Sequence, residues 1–341
     1  MIRFGLIGCG SHSQWAVMPA MQNTQNCRLV AVADIAPANL ESAGDGVAKY
    51  ADYREMLAKE KVDAVYVATP CDVHCEPTVA ALRAGAHVVC EKPMGMTVAE
   101  CRRMLDAART TGRLIAIDFE VRYYPENAQI RRWIDEGRIG RVHAIHMDRC
   151  WSGHKNFGGL APRRKRFLDL SGCLDCGIHM LDLARFFTDG GDWRDIQALG
   201  GWFGETVRFP THIAIQARLT TGAMVTLNTS FAYTASIKEG SEFNNVTIVG
   251  THGVIEVQTD RESNTTVRVV SDNRSETLSA AELSHAAVIP QLLEDFAAAV
   301  ENGSPPPARM ATGEDGLAAQ EIVDEANQQA CDKGDCCIER R

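Results

Sequence analysis

The first third of the chain alternates short apolar, β-branched runs with segments of helical periodicity. Residues 2–7, 28–33, 64–68, 87–90 and 114–117 are rich in Val, Ile and Ala with few polar interruptions. Such runs suit strands of a parallel sheet covered on both faces. Between them, residues 14–24, 53–59, 76–84 and 98–111 carry the apolar spacing of helices. Strand, helix and strand in repetition predict a doubly wound α/β domain, ending near residue 120.

The pattern then changes. A helix is expected over 126–136, with Gly137 as its C-cap. Strand-like segments dominate afterwards, at 141–148, 196–201, 212–219, 223–230, 245–250, 253–258 and 265–270. Turn residues such as Thr221-Gly222 and Thr251-His252-Gly253 separate neighbours, which predicts a largely antiparallel sheet. Helices are expected at 174–187, 288–302 and 312–329, and Ser304-Pro305-Pro306-Pro307 reads as a surface loop. The expected organisation is therefore two domains, 1–120 and 121–341.

Composition narrows the function classes. With 45% hydrophobic and 23% charged residues the chain has ordinary globular usage. No apolar run is long enough to cross a bilayer, and Met1 to Gly8 lacks the pattern of a signal peptide. The expectation is a cytoplasmic protein with no membrane partner. A formal net charge of −9 argues against a nucleic-acid partner. The basic cluster Arg163-Arg164-Lys165-Arg166 is a local exception, read as a solvated loop or a grip for an acidic substrate. The 12 cysteines read mainly as small buried hydrophobes of a reducing compartment. Cys173 and Cys176 have C-x-x-C spacing, and Cys331, Cys336 and Cys337 sit near the end. No second C-x-x-C or H-x3-H accompanies them, so no metal is expected.

Chemistry concentrates in three places. Gly8-Cys9-Gly10-Ser11-His12-Ser13 follows the first strand and opens the first helix. Gly8 permits the tight turn and Gly10 lets a pyrophosphate approach the helix N-terminus. Ser13 replaces the usual third glycine, which predicts looser helix–strand packing. Asp34 ends the second strand, where a carboxylate accepts from a ribose 2′-hydroxyl and repels a 2′-phosphate; Ile35, not an arginine, follows. NAD is therefore favoured over NADP. Thr69-Pro70 and Glu91-Lys92-Pro93 end the third and fourth strands of that reading, at the edge where open α/β sheets bind ligands. Lys92 is either a reactive group there or a solvated lysine. Farther on, Asp175 and His179 are four residues apart and share a helix face, with Asp182 near it. A carboxylate beside an imidazole prepares a general base. The alternatives are a helix-start aspartate with a core histidine, or a divalent metal held by Asp175, His179 and Asp182.

Together these pieces resemble the Gfo/Idh/MocA-like oxidoreductases over nearly the whole chain. The resemblance rests on the glycine turn, Thr69-Pro70, the stretch from Ala84 to Pro93, Phe119-Glu120-Val121-Arg122 before Pro125, Ile139-Gly140-Arg141-Val142, and Asp175 to Asp182. It implies an N-terminal Rossmann domain and a C-terminal α/β domain with an open, mainly antiparallel sheet. It further implies catalytic roles for Lys92, Asp175 and His179, and a cis bond between Lys92 and Pro93. Positions implied near NAD are Gly8, Gly10, Ser11, His12, Asp34, Thr69, Pro70, His74, Glu91, Lys92 and Arg122. The implied activity is hydride transfer between nicotinamide and a hydroxyl-bearing carbon of a sugar or polyol, in a homo-oligomer (dimer or tetramer). The alternative is a non-catalytic NAD-binding regulator, against which the joint presence of Lys92, Asp175 and His179 weighs. Two departures stand out: Asp169-Leu170-Ser171-Gly172 where a glycine-rich run is usual, and Cys71 where Asn is common.

Overall fold

The computed structural model describes all residues except 152–169, 203–206, 232–242, 260–264, 273, 280–287 and 334–341. The chain divides into two compact units. One comprises Met1–Tyr124 with His285–Gln320, the other Pro125–Ser284 with Glu321–Arg341. Residues 288–320, grouped with the second domain by sequence order, thus pack in the first unit.

The first unit is built on six strands: β1 (Ile2–Ile7), β2 (Cys27–Ala33), β3 (Ala48–Tyr50), β4 (Ala64–Val67), β5 (His87–Glu91) and β6 (Ile115–Asp118). They form one parallel sheet in the order β3-β2-β1-β4-β5-β6. Every residue of β4 is fully buried, as expected of a central strand with helices on both faces. The helices are α1 (Met18–Gln22), α2 (Pro37–Leu40), α3 (Tyr53–Lys59), α4 (Cys75–Arg83) and α5 (Val98–Thr111). Local sequence sets their ends. Asp52 accepts from the Arg54 amide at the start of α3 (2.9 Å), and Thr97 accepts from the Glu100 amide at the start of α5 (3.2 Å). Gly112 closes α5 at φ +64°, a left-handed conformation that suits glycine.

One face of the sheet is covered from far along the chain. Helix α8 (Val288–Asn302) buries Leu292, Leu293, Phe296 and Ala297 in a cluster with Phe4, Leu6, Val32 and Tyr66. Phe296 lies 5.9 Å from the Phe4 ring.

In the second unit, α6 (Pro125–Asp135) precedes β7 (Val142–Cys150), and α7 (Ile178–Phe186) follows a π-helical turn at Cys173–Gly177. Seven strands follow: β8 (Trp193–Gly201), β9 (His212–Leu219), β10 (Met224–Ser230), β11 (Phe243–Gly250), β12 (Gly253–Thr259), β13 (Thr265–Ser271) and β14 (Arg274–Ser279). They join β7 in one sheet, ordered β14-β13-β12-β11-β7-β10-β9-β8. All pairings are antiparallel except β7 with β10. Burial alternates along β9, with Ile213, Ile215, Ala217 and Leu219 inward and Gln216 and Arg218 exposed. One face is therefore packed and the other open. The last helix, α9 (Gly313–Lys333), begins in the first unit and ends in the second.

Candidate functional site

The carboxyl ends of the parallel strands carry the first group of residues. Gly8 leaves β1 at φ +93°, and a Cβ there would stand 2.6 Å from the Ala68 carbonyl oxygen, so only glycine fits. Gly10 differs: a Cβ on it would meet nothing within 4 Å. The backbone at Gly10 faces open space, as a turn that admits a phosphate requires. Ser13 is fully buried and donates its hydroxyl to the Gly8 carbonyl at 2.5 Å. The residue expected to loosen helix–strand packing ties the turn by this bond, and the first helix starts as a π turn at Ser13–Val17.

Asp34 sits beside that turn. Its carboxylate accepts from the Cys9 and Ala36 amides, both at 2.7 Å, and from the Asn39 side chain at 3.1 Å. These bonds fix it at the end of β2.

Thr69 and Pro70 follow β4, and Glu91, Lys92 and Pro93 follow β5 with a cis bond between Lys92 and Pro93. His74 links the two turns. Its Nδ1 lies 2.7 Å from the Pro93 carbonyl and its Nε2 lies 2.9 Å from the Thr69 carbonyl. The ring is 2% exposed, and burial holds its proton affinity down despite the two acceptors. Its place is behind the edge, holding the turns. Arg122 is likewise buried, 3.3 Å from Asp315 and 3.4 Å from the Ala308 carbonyl, where it ties the start of α9.

Beside Lys92 lies a cluster that sequence patterns did not single out as such. His12 Nε2 and the Tyr66 hydroxyl each lie 2.8 Å from Glu91 Oε1, and the same hydroxyl donates or accepts at Asp118 Oδ2. Burial disfavours charge on Glu91, but His12, Tyr66 and Lys92 outweigh it and hold its carboxyl below the usual range. At Asp118, burial and then the charges of Glu91 and Glu120 push the carboxyl well up. Burial and the charge of Glu91 also push Glu120 up to about 7. His12 keeps a raised proton affinity because the Glu91 bond and charge exceed the cost of burial. One nitrogen of His12 and one oxygen each of Glu91 and Asp118 lie within 4.8 Å of one another. The Tyr66 hydroxyl stands between the two carboxyls, so the group is closed by hydrogen bonds rather than laid out around an ion. Tyr66 reads as an ordinary strand residue in sequence, and Asp118 falls just beyond the strand read at 114–117. The usable signal was an ionisable residue ending an apolar strand at the carboxyl edge.

The second group lies in the other unit. Asp175 is within the π turn and half-buried, while His179 (8% exposed) and Asp182 (fully buried) belong to α7. The turn packs on β10: Thr229 donates to the Gly172 carbonyl at 3.2 Å, and a Cβ on Gly177 would lie 3.3 Å from Thr229 Cγ2. Small residues at 172 and 177 thus seat Asp175 and His179 against the sheet. Asp175 accepts from the Cys176 thiol at 3.3 Å. Cys173 and Cys176 are buried thiols outside any disulfide, and burial pushes Cys173 up to about 12. The basic cluster at 163–166, and Cys336 and Cys337, lie outside the described residues.

The chain matches an oxidoreductase family with an NAD-binding Rossmann fold over residues 2–119, and the GFO/IDH/MocA C-terminal domain over residues 127–256. It is 30% identical over 267 residues to D-glucoside 3-dehydrogenase of Escherichia coli, which covers 71% of this chain and 73% of that protein. It is 34% identical to uncharacterized oxidoreductase ORF334 of Rhizobium meliloti over 42% of this chain and 44% of that one. Against most of the curated relatives it matches, the chain spans about half their length. Among solved structures, an oxidoreductase from Agrobacterium radiobacter in complex with NAD+, L-tartaric acid and magnesium superposes with a TM-score of 0.81 at 20% identity, covering 97% and 96% of the two chains. Aldose-aldose oxidoreductase from Caulobacter crescentus, complexed with glycerol, gives 0.81 at 22% identity, covering 97% and 98%. The two domain matches, the topology and the residues at the sheet edge agree: the chain belongs to the Gfo/Idh/MocA oxidoreductase family.

Proposed function

We propose that this protein is an NAD-dependent dehydrogenase acting on a hydroxyl-bearing carbon of a sugar, polyol or sugar derivative, reducing the ketone in reverse. The observation that carries this reading is the carboxyl edge of the parallel sheet. There Gly8 makes its steric turn, Gly10 opens onto free space, and Asp34 and Lys92 follow their strands. Gly8, Gly10, Ser11 and His12 would hold the pyrophosphate end, and Asp34 the adenosine ribose, in favour of NAD over NADP. Thr69, Pro70, Glu91 and Lys92 would face the rest of the coenzyme, with His74 and Arg122 holding the backbone that presents them. When bound, the nicotinamide accepts or supplies the hydride.

In this reading the Lys92 ammonium stabilises the oxyanion that develops as the hydroxyl is oxidised. His179 takes the hydroxyl proton, and Asp175 orients the imidazole and raises its basicity. The substrate class follows the names of relatives, D-glucoside 3-dehydrogenase and inositol 2-dehydrogenases. The basic cluster at 163–166 would suit an acidic substrate. The open face of the eight-stranded sheet is the surface proposed to pair subunits, and the proposed location is the cytoplasm.

Coenzyme titration joined to a turnover assay over a broad panel of sugars and polyols tests this. The expected result is tighter binding of NAD than NADP, a gap narrowed in Asp34→Ala, and turnover of at least one polyol. Equal affinities would overturn the coenzyme assignment. Binding with no turnover over the whole panel would overturn the catalytic one.

A further inference from the structure

A phenol has one proton to donate. The Tyr66 hydroxyl touches two carboxyl oxygens, Glu91 Oε1 and Asp118 Oδ2. Two ionised carboxylates cannot both accept from it, so one carboxyl is protonated and donates to the phenol oxygen. Glu91 has His12 Nε2 at 2.8 Å and the Lys92 charge nearby. Asp118 is 1% exposed and faces the charges of Glu91 and Glu120. Tyr123, which also senses Asp118, gives its proton to Asp295 at 2.9 Å. The proton therefore resides on Asp118. The bonds then run in one direction: Asp118 donates to Tyr66, and Tyr66 donates to the Glu91 carboxylate. His12 holds that carboxylate through its Nε2–H, and Glu91, whose side chain is 13% exposed, is the end of the path that meets solvent.

We propose that Asp118, Tyr66, Glu91 and His12 form a proton-storing relay that answers the charge of the bound coenzyme. The relay rests on the dehydrogenase reading above, which brings the nicotinamide within reach of the oxygen that Lys92 serves. Positive charge delivered there by the oxidised ring favours an additional carboxylate. The Asp118 O–H bond breaks, its proton bonds to the Tyr66 oxygen, and the Tyr66 proton passes to Glu91. Glu91 passes a proton to water, while His12 keeps its Nε2–H on the Glu91 carboxylate. Asp118 is left ionised, the other three groups are as before, and one proton has left for solvent. When hydride transfer makes the ring neutral, the steps reverse and Asp118 recovers its proton. These residues exchange protons only, and the electrons stay with substrate and coenzyme.

The test is calorimetric titration of NAD+ and of NADH at pH 7, in buffers of different ionisation enthalpy, which counts protons exchanged on binding. The expected result is a proton release with NAD+ that NADH lacks, lost in Asp118→Asn and in Tyr66→Phe. Asp118→Asn keeps a neutral group of the same shape, and Tyr66→Phe severs the path at a second point. The infrared band of protonated carboxylic acids at pH 7 should be weaker by one carboxyl in Asp118→Asn, the remainder belonging to Glu120. An unchanged release in both variants, or an unchanged band in Asp118→Asn, would overturn the relay. Binding of both coenzyme forms with no difference in protons sinks the relay alone. Failure of both forms to bind sinks the dehydrogenase reading and the relay with it.

Discussion

Lys92, His179 and Glu120 are each expected to act through one ionisable group. Removing Lys92 or His179 as alanine is expected to lower kcat by about 10²–10⁴-fold, the usual contribution of acid–base assistance, with NAD affinity nearly intact. Steady-state kinetics beside separate coenzyme dissociation constants check this. Near-normal kcat in His179→Ala would make that residue a core histidine. Glu120 offers a test by pH. Its folded carboxyl titrates at about 7, above the ordinary value, so the folded state binds this proton more tightly than the unfolded chain does. The stability it contributes is complete below the ordinary glutamate range and is lost as pH rises toward about 7. Glu120→Gln is therefore expected to gain stability relative to the unmodified protein between pH 5 and pH 8, by about 1–3 kcal/mol. Urea unfolding across that range measures it, and a pH-independent difference would refute it. Lys92 and His179 were legible in sequence because they sit in spaced motifs. The partnership of Tyr66 with Asp118 was not, since it depends on two strands lying side by side.

Turns and short elements separate what sequence reveals from what it hides. Gly8 and Gly10 look alike as letters but have opposite surroundings. Gly8→Ala combines a left-handed φ with a backbone clash and is expected to cost about 2–5 kcal/mol. Gly10→Ala has room for its methyl group, so the melting temperature should hold while NAD affinity falls. Thermal unfolding and coenzyme titration on both variants distinguish them; equal loss of stability would show that the space at Gly10 is not free. Strongly periodic elements were readable almost to the residue, as at Ile2–Ile7, Val98–Thr111 and Val288–Asn302. Strand β3 was missed because it has three residues, with Lys49 at its centre. Strand β14 was missed because Arg274–Ser279 has a single large apolar residue, Leu278. The parallel pairing of β7 with β10 was hidden as well, because strand order is a property of the sheet and not of either segment.

At the scale of the whole molecule, the first unit borrows its cover from the far end of the chain. Phe4, Leu6, Val32 and Tyr66 share one cluster with Leu292, Leu293 and Phe296. A fragment of residues 1–124 is therefore expected to lack a closed core, although it contains all six strands. It should aggregate or show broad, non-cooperative melting by circular dichroism, and addition in trans of a peptide spanning residues 285–320 should improve it. A sharply melting monomer of 1–124 alone would contradict this. The same arrangement has a consequence during synthesis. The six strands leave the ribosome long before helix α8 exists. At about 5–20 residues per second, the nascent sheet waits on the order of ten to thirty seconds with one apolar face bare. The chain's hazard is thus one of timing, and chaperone demand should peak while the middle of the messenger is being read.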